Sequence, residues 1–104
     1  MKTYIIDIDD TICITPRVSG KAQYQKALPI QYRINACNAL YDAGNVMIYW
    51  TARGSSSGID YLEITRNQLT EWGVKASDIR VGKPSYDVWV DDKAFHDSDF
   101  FDAP

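Results

Sequence analysis

The sequence predicts an α/β fold, with a parallel sheet of roughly four or five strands covered by helices on both faces as a three-layer αβα sandwich. Two observations point there. Strand-like runs alternate with stretches of helical period, and the longest runs, Tyr4-Ile5-Ile6 and Val46 to Trp50, are apolar throughout rather than alternating, as strands buried on both faces are. A third observation bears on function. Each polar cluster stands just after a strand-like run, and ligands of such sheets bind beyond the carboxyl ends of the strands, near a switch in strand order.

Taken in order, Tyr4 to Ile6 form the first strand, stopped by Asp7. Residues 12–28 carry Pro16, Ser19 and Gly20 without a period and read as a loop or small flap. Ile30, Ile34, Cys37 and Tyr41 recur at helical spacing, with Pro29 suited to the first turn and Gly44 to the position after the last. Val46 to Trp50 is the second strand, ending at Thr51, and a Ser/Gly loop from Gly54 to Gly58 follows it. Ile59, Leu62, Leu69 and Trp72 mark one face of a second helix, stopped by Gly73. Ile79 to Val81 and Val88 to Val90 are two further strands, leading into Gly82-Lys83-Pro84 and Asp91-Asp92.

With 104 residues the chain is expected to make one domain, residues 1–104, with little room for a second lobe. Its net charge of −3 and lack of any Lys/Arg run exclude the electrostatic footprint of a duplex-binding protein, while a small anionic ligand needs only a local positive site. Cys13 and Cys37 lack CxxC spacing and a nearby His, so neither zinc nor a disulfide framework is indicated, and a reduced cytoplasm is the expected location. No segment reads as a signal peptide or approaches the length of a membrane span.

The stretch YIIDIDDTIC crowds Asp7, Asp9 and Asp10 into four positions. Like charges this close cost free energy unless a cation, a hydrogen-bond network or a shared proton compensates them, so something cationic is expected there. The sheet reading brings Asp7 and Asp9, Thr51, Lys83, and Asp91 with Asp92 to one edge, although the chain separates them.

This set resembles the haloacid dehalogenase superfamily of phosphohydrolases over nearly the whole chain. A hydrophobic strand followed by DxDxT stands as Asp7-Ile8-Asp9-Asp10-Thr11, a strand ending in Thr as Thr51 in MIYWTAR, a Lys as Lys83 in VGKP, and a strand ending in two acids as Asp91 and Asp92 in VWVDD. The pattern TARG, QLTEWGV and GKPSYDVWVDDKA is similar to short capless members of bacterial surface-sugar and sugar-nucleotide pathways. The resemblance implies a Rossmann-like, capless hydrolase domain in which only the 12–28 flap covers the site. It implies a Mg2+-dependent phosphatase acting on a small phosphate ester, a sugar phosphate or nucleotide.

A phosphate dianion repels a carboxylate nucleophile, and Mg2+ between them takes hard oxygen ligands while keeping waters. As the family pattern has it, Asp7, the Asp9 backbone carbonyl and one of Asp91 or Asp92 would hold the metal. Asp7 would form an aspartyl-phosphate, and Asp9 would serve as acid and then base. Lys83 and the Thr51 hydroxyl would hold phosphoryl charge. At the substrate, Thr11 would brace the loop and Arg53 would touch phosphate or sugar hydroxyls.

Other features read as structural. His96 lies in a polar tail as a surface residue, Trp50, Trp72 and Trp89 read as core, and the Ser55 to Ser57 run reads as a flexible loop that could contact substrate. Phe95, Phe100 and Phe101 hint at a subunit contact between copies of the chain. A response-regulator receiver shares acids, a Thr and a Lys at strand ends, but its acidic pair comes early, whereas Asp91-Asp92 comes last here. The alternative from another class is a catalytically silent module that binds a phospho-ligand or a protein.

Overall fold

Three strands running in one direction form the central sheet of the computed structural model, which describes residues 1–104. From the N-terminus come β1 (Thr3–Ile6), the short strands β2 (Cys13–Ile14), β3 (Arg17–Val18) and β4 (Lys21–Ala22), a 3-10 turn (Tyr24–Lys26), β5 (Leu28–Pro29), α1 (Gln31–Asp42), β6 (Val46–Trp50), α2 (Leu62–Glu71), β7 (Asp78–Arg80) and α3 (Asp97–Phe101). The sheet order is β1-β6-β7, all parallel, with Ile6 opposite Tyr49 and Tyr49 opposite Ile79. The flap expected at 12–28 is built from two small antiparallel pairs, β2 with β5 and β3 with β4.

The register divides the side chains. Tyr4, Ile6, Met47, Tyr49 and Ile79 fall on one face and join one cluster with Ile34 and Cys37 of α1, Leu69 of α2 and Phe101 of α3. Ile5 lies on the other face and is 61% exposed. The apolar period of α1 is satisfied by Ile34 and Cys37, but Tyr41 faces solvent, and Ile59 lies exposed ahead of α2. Gly44 closes α1 with φ +96°, a left-handed conformation that costs glycine nothing.

The three-layer sandwich of four or five strands is therefore not the fold. Val88 to Val90 forms no strand: Val88 is 78% and Val90 91% exposed. Trp89 instead lays its ring edge-on to Trp50 of β6, with centroids 6.2 Å apart. The physical consequence is topological. Parallel crossovers are right-handed, so two crossovers that step the same way, β1 to β6 and β6 to β7, place both helices on one face. Without a strand on the far side of β1 the order never reverses, the second face gains no helix layer, and the sheet has no switch point.

The C-terminal segment folds onto the domain as α3, where the sequence read a polar tail with aromatics set for a subunit contact. Arg33 of α1, nearly buried, donates to Asp97 at 2.6 Å, to Asp102 at 2.8 Å and to the Thr11 carbonyl at 3.1 Å. This clamps α3 to α1 and to the root of the flap. Phe101 packs on the core beneath the Arg33 guanidinium, and Phe100 meets Tyr4, which leaves Phe95 as the strongly exposed member of the aromatic trio. No helix is long and apolar enough to cross a membrane.

Candidate functional site

Polar residues end β1 and β6 at the same edge because the strands run parallel and in register. Beyond Ile6 the chain passes Asp7 and turns, with the amides of Thr11 and Ile12 both bonding the Ile8 carbonyl. Ile8 and Ile12 are fully buried and anchor the turn, while Asp10 takes φ +61°, which Asp tolerates better than most residues. Its carboxylate bonds the Thr15 amide at 3.2 Å and Arg17 at 3.0 Å. Asp10 thus braces the flap and leaves the pocket to Asp7 and Asp9.

Beyond β6 and β7 the two chains stay joined. The Thr51 amide bonds the Arg80 carbonyl at 2.9 Å, and the Lys83 amide bonds the Thr51 carbonyl at 3.1 Å. That tie sets Lys83 beside Asp7, Nζ to Oδ1 at 3.4 Å. The ammonium also sits over the rings of Tyr86 and Trp89, at 5.4 and 5.6 Å from their centroids, an attractive cation–π arrangement. The Thr11 hydroxyl donates to Asp7 Oδ2 at 3.1 Å. The Thr51 hydroxyl oxygen accepts the Arg53 amide at 3.1 Å, leaving its own proton free to donate.

Asp7, Thr51, Lys83 and Tyr86 line one pocket of about 350 Å3, while Thr11 holds Asp7 from outside the lining. The pocket lining includes Asp7, Asp9, Thr51, Arg53 and Lys83, with Arg17 and Tyr24 from the flap. Ser56 and Ser57 of the loop after β6 also reach it. Residues of the 12–28 segment thus contribute to the pocket lining.

Arg53 lines the pocket yet is largely engaged by the protein itself. It is 2% exposed, and its guanidinium is committed to protein partners: Nε lies 2.9 Å and Nη2 2.9 Å from the two Asp9 carboxylate oxygens, and Nη1 donates to Thr65 at 3.2 Å and Gln68 at 2.5 Å. Asp9 Oδ1 also accepts the Thr15 hydroxyl at 2.6 Å. Removing one partner from such a buried pair typically costs about 3–5 kcal/mol. The crowding of acids that the sequence displays is thus compensated by three cations of the chain itself, Lys83 for Asp7, Arg53 for Asp9 and Arg17 for Asp10. Cys13, 3.8 Å from Asp9, is no rival nucleophile, because burial pushes its thiol up to about 11.

Asp91 and Asp92 are not brought to this pocket. Because Val88 to Val90 does not join the sheet beside β1, their expected strand end is never built. The Asp91 carboxylate accepts the Lys93 amide at 2.8 Å and lies 3.5 Å from the Trp89 indole nitrogen, contacts that hold it below the usual carboxylate range. Nowhere do three or more His, Cys, Asp or Glu side chains gather as a metal centre. Mg2+, however, takes one or two carboxylates and completes its shell with waters and substrate phosphate. Asp7, open to the pocket, fits that part; the full set with Asp9, Asp91 and Asp92 is not assembled.

Three contributors escaped the sequence reading. Thr65 and Gln68 reach Arg53 from α2, and the available signal was a polar pair spaced i, i+3 on the helix face that also carries Leu62 and Leu69. Thr15 was hidden in a flap that had no period to read.

No protein-family model matches this chain, and no curated protein does. Among solved structures, the crystal structure of a target protein from Vibrio cholerae is similar over 96% of this chain and 87% of its own, with a TM-score of 0.81 and 26% identity. The likeness spans sheet, flap and helices together, so the scaffold that gathers this pocket is shared with a second protein.

Proposed function

We propose that this pocket hydrolyses phosphate monoesters, with Asp7 as nucleophile. The observation that carries the reading is the meeting of a half-exposed carboxylate, an ammonium 3.4 Å from it and the Thr51 hydroxyl at one sheet edge. Hydroxyl and ammonium donors lining one pocket suit an anion, and a carboxylate in the same pocket suits attack on it.

In this mechanism an Asp7 oxygen attacks phosphorus and the bond to the leaving oxygen breaks, its electron pair staying on that oxygen with a proton from Asp9. Water then attacks the aspartyl-phosphate, giving its proton to Asp9 and freeing phosphate and the Asp7 carboxylate. Lys83 and Thr51 bind phosphoryl oxygens throughout, and positioning with charge stabilisation dominates such transfers. Mg2+, held by Asp7, would supply charge neutralisation between nucleophile and substrate. Sugar phosphates and nucleotides are the substrate classes favoured by the resemblance, of which the first three motifs, at Asp7, Thr51 and Lys83, meet in the pocket.

The test is phosphate release from a panel of sugar phosphates, nucleotides and an aryl phosphate, with Mg2+ and with chelator, for the wild-type chain and Asp7→Asn. Release that needs both Asp7 and the metal is the expected result. Tight binding of phosphate esters without release would replace the enzyme by a phospho-ligand binding module.

A further inference from the structure

Arg53 reaches further than its pair with Asp9. The Gln68 side chain accepts from Arg53 Nη1 through Oε1 and donates through Nε2 to the Tyr24 carbonyl at 2.6 Å. The Tyr24 carbonyl also accepts the Ala27 amide at 3.1 Å, closing the 3-10 turn of the flap. The Arg53 guanidinium sits 4.8 Å from the centre of the Tyr24 ring, whose other contact is the edge of Tyr61. At the other end of the flap, Thr15, 3% exposed, donates its hydroxyl to the same Asp9 carboxylate. Both ends of the flap are thus fastened to one carboxylate, directly through Thr15 and by way of Gln68 and Arg53.

We propose that Arg53 is a positioning residue for Asp9, and that through Gln68 it ties the aim of that carboxylate to the seating of the 12–28 flap. The inference rests on the phosphatase reading for Asp9 as the group that exchanges protons. Three hydrogen bonds from Arg53 and Thr15 fix the Asp9 rotamer, and the planar fork of guanidinium fixes it in direction as a lysine would not. Arg53 has no such direct claim on substrate, since four of its five N–H groups already have protein partners. A flap displaced by substrate or product would pull on Gln68 and loosen the fork that aims Asp9.

Two variants of the full chain test this. Arg53→Met removes the fork, and Gln68→Leu, on a less buried side chain, removes the link to Tyr24 if the first variant does not fold. Each is measured on an aryl phosphate, whose good leaving group needs little protonation, and on an alkyl phosphate, whose poor leaving group needs it. The expected result is a kcat loss of about 10-fold or more on the alkyl ester, a distinctly smaller loss on the aryl ester and KM within about twofold, because a misaimed acid harms proton delivery. Amide hydrogen exchange at Ala27 should rise at the same time in Gln68→Leu. Equal losses on the two esters, or unchanged exchange at Ala27, would overturn the proposal. If the wild type releases phosphate from neither ester, the phosphatase reading falls, and the exchange arm alone decides whether the flap is fastened through Gln68.

Discussion

Asp7 and Asp9 share a motif, but their surroundings set different costs for losing them. Asp7 is half-exposed and its partner Lys83 is also held over two rings, so Asp7→Asn should abolish phosphate release and leave the melting temperature within a few degrees. Asp9 faces a fully buried guanidinium. Asp9→Asn should abolish turnover and also lower the melting temperature clearly, because an amide leaves the Arg53 charge uncompensated. Equal thermal stability of the two variants would remove the buried pair from the account. Lys83→Ala should lose about 10^2 to 10^3 in kcat, the usual cost of deleting a donor to developing charge. Of these residues the sequence made Asp7, Asp9, Thr51 and Lys83 legible, since each follows an apolar run. For Arg53, three residues past the end of β6, it suggested only a substrate contact, and only the fold reveals that Thr65 and Gln68 enclose it.

At the scale of elements, β1, β6, α1 and α2 were readable because each has a run or period long enough to specify itself. The five-residue α3 is too short to show a period, and it is held by distant partners. Arg33 holds Asp97 below the usual carboxylate range, while Asp102 is lowered first by the Tyr32 hydroxyl and then by Arg33. Folded values below the unfolded ones, about 4, mean the stabilisation is full above that pH and is lost as pH falls through the folded values. Acidification below about pH 4 should therefore loosen α3 before the core, read as broadening of the Phe100 and Phe101 NMR signals while Leu69 persists. Arg33→Met should show α3 already loose at neutral pH and indifferent to acid. A second element-scale prediction concerns the loop that carries Arg53 into place. Gly54 has φ +83°, and a Cβ there would run into the Ile59 carbonyl. Gly54→Ala should cost about 1–3 kcal/mol and reduce activity with it, whereas Gly58→Ala, with open space around it, should cost less in a denaturant titration.

For the whole molecule, the unreadable quantity was strand order. Local sequence sets which segments are extended, but the number of layers depends on whether a three-residue run, Val88 to Val90, pairs with the far edge of β1, and in this fold it does not. The order β1-β6-β7 then leaves one sheet face without helices, and this makes a prediction that two adjacent residues of one strand decide. Ile6 is 7% exposed within the single core cluster, and Ile5 is 61% exposed on the opposite face. Ile6→Ala should cost about 2–5 kcal/mol, as core truncations do. Ile5→Thr keeps the β-branch and removes little buried apolar area, so it should cost under about 1 kcal/mol. Urea unfolding of both variants provides the measurement. A sheet covered on both faces would penalise the two substitutions alike; a large loss for Ile5→Thr would therefore place a further layer over β1, and with it the strand end that carries Asp91 and Asp92 beside Asp7.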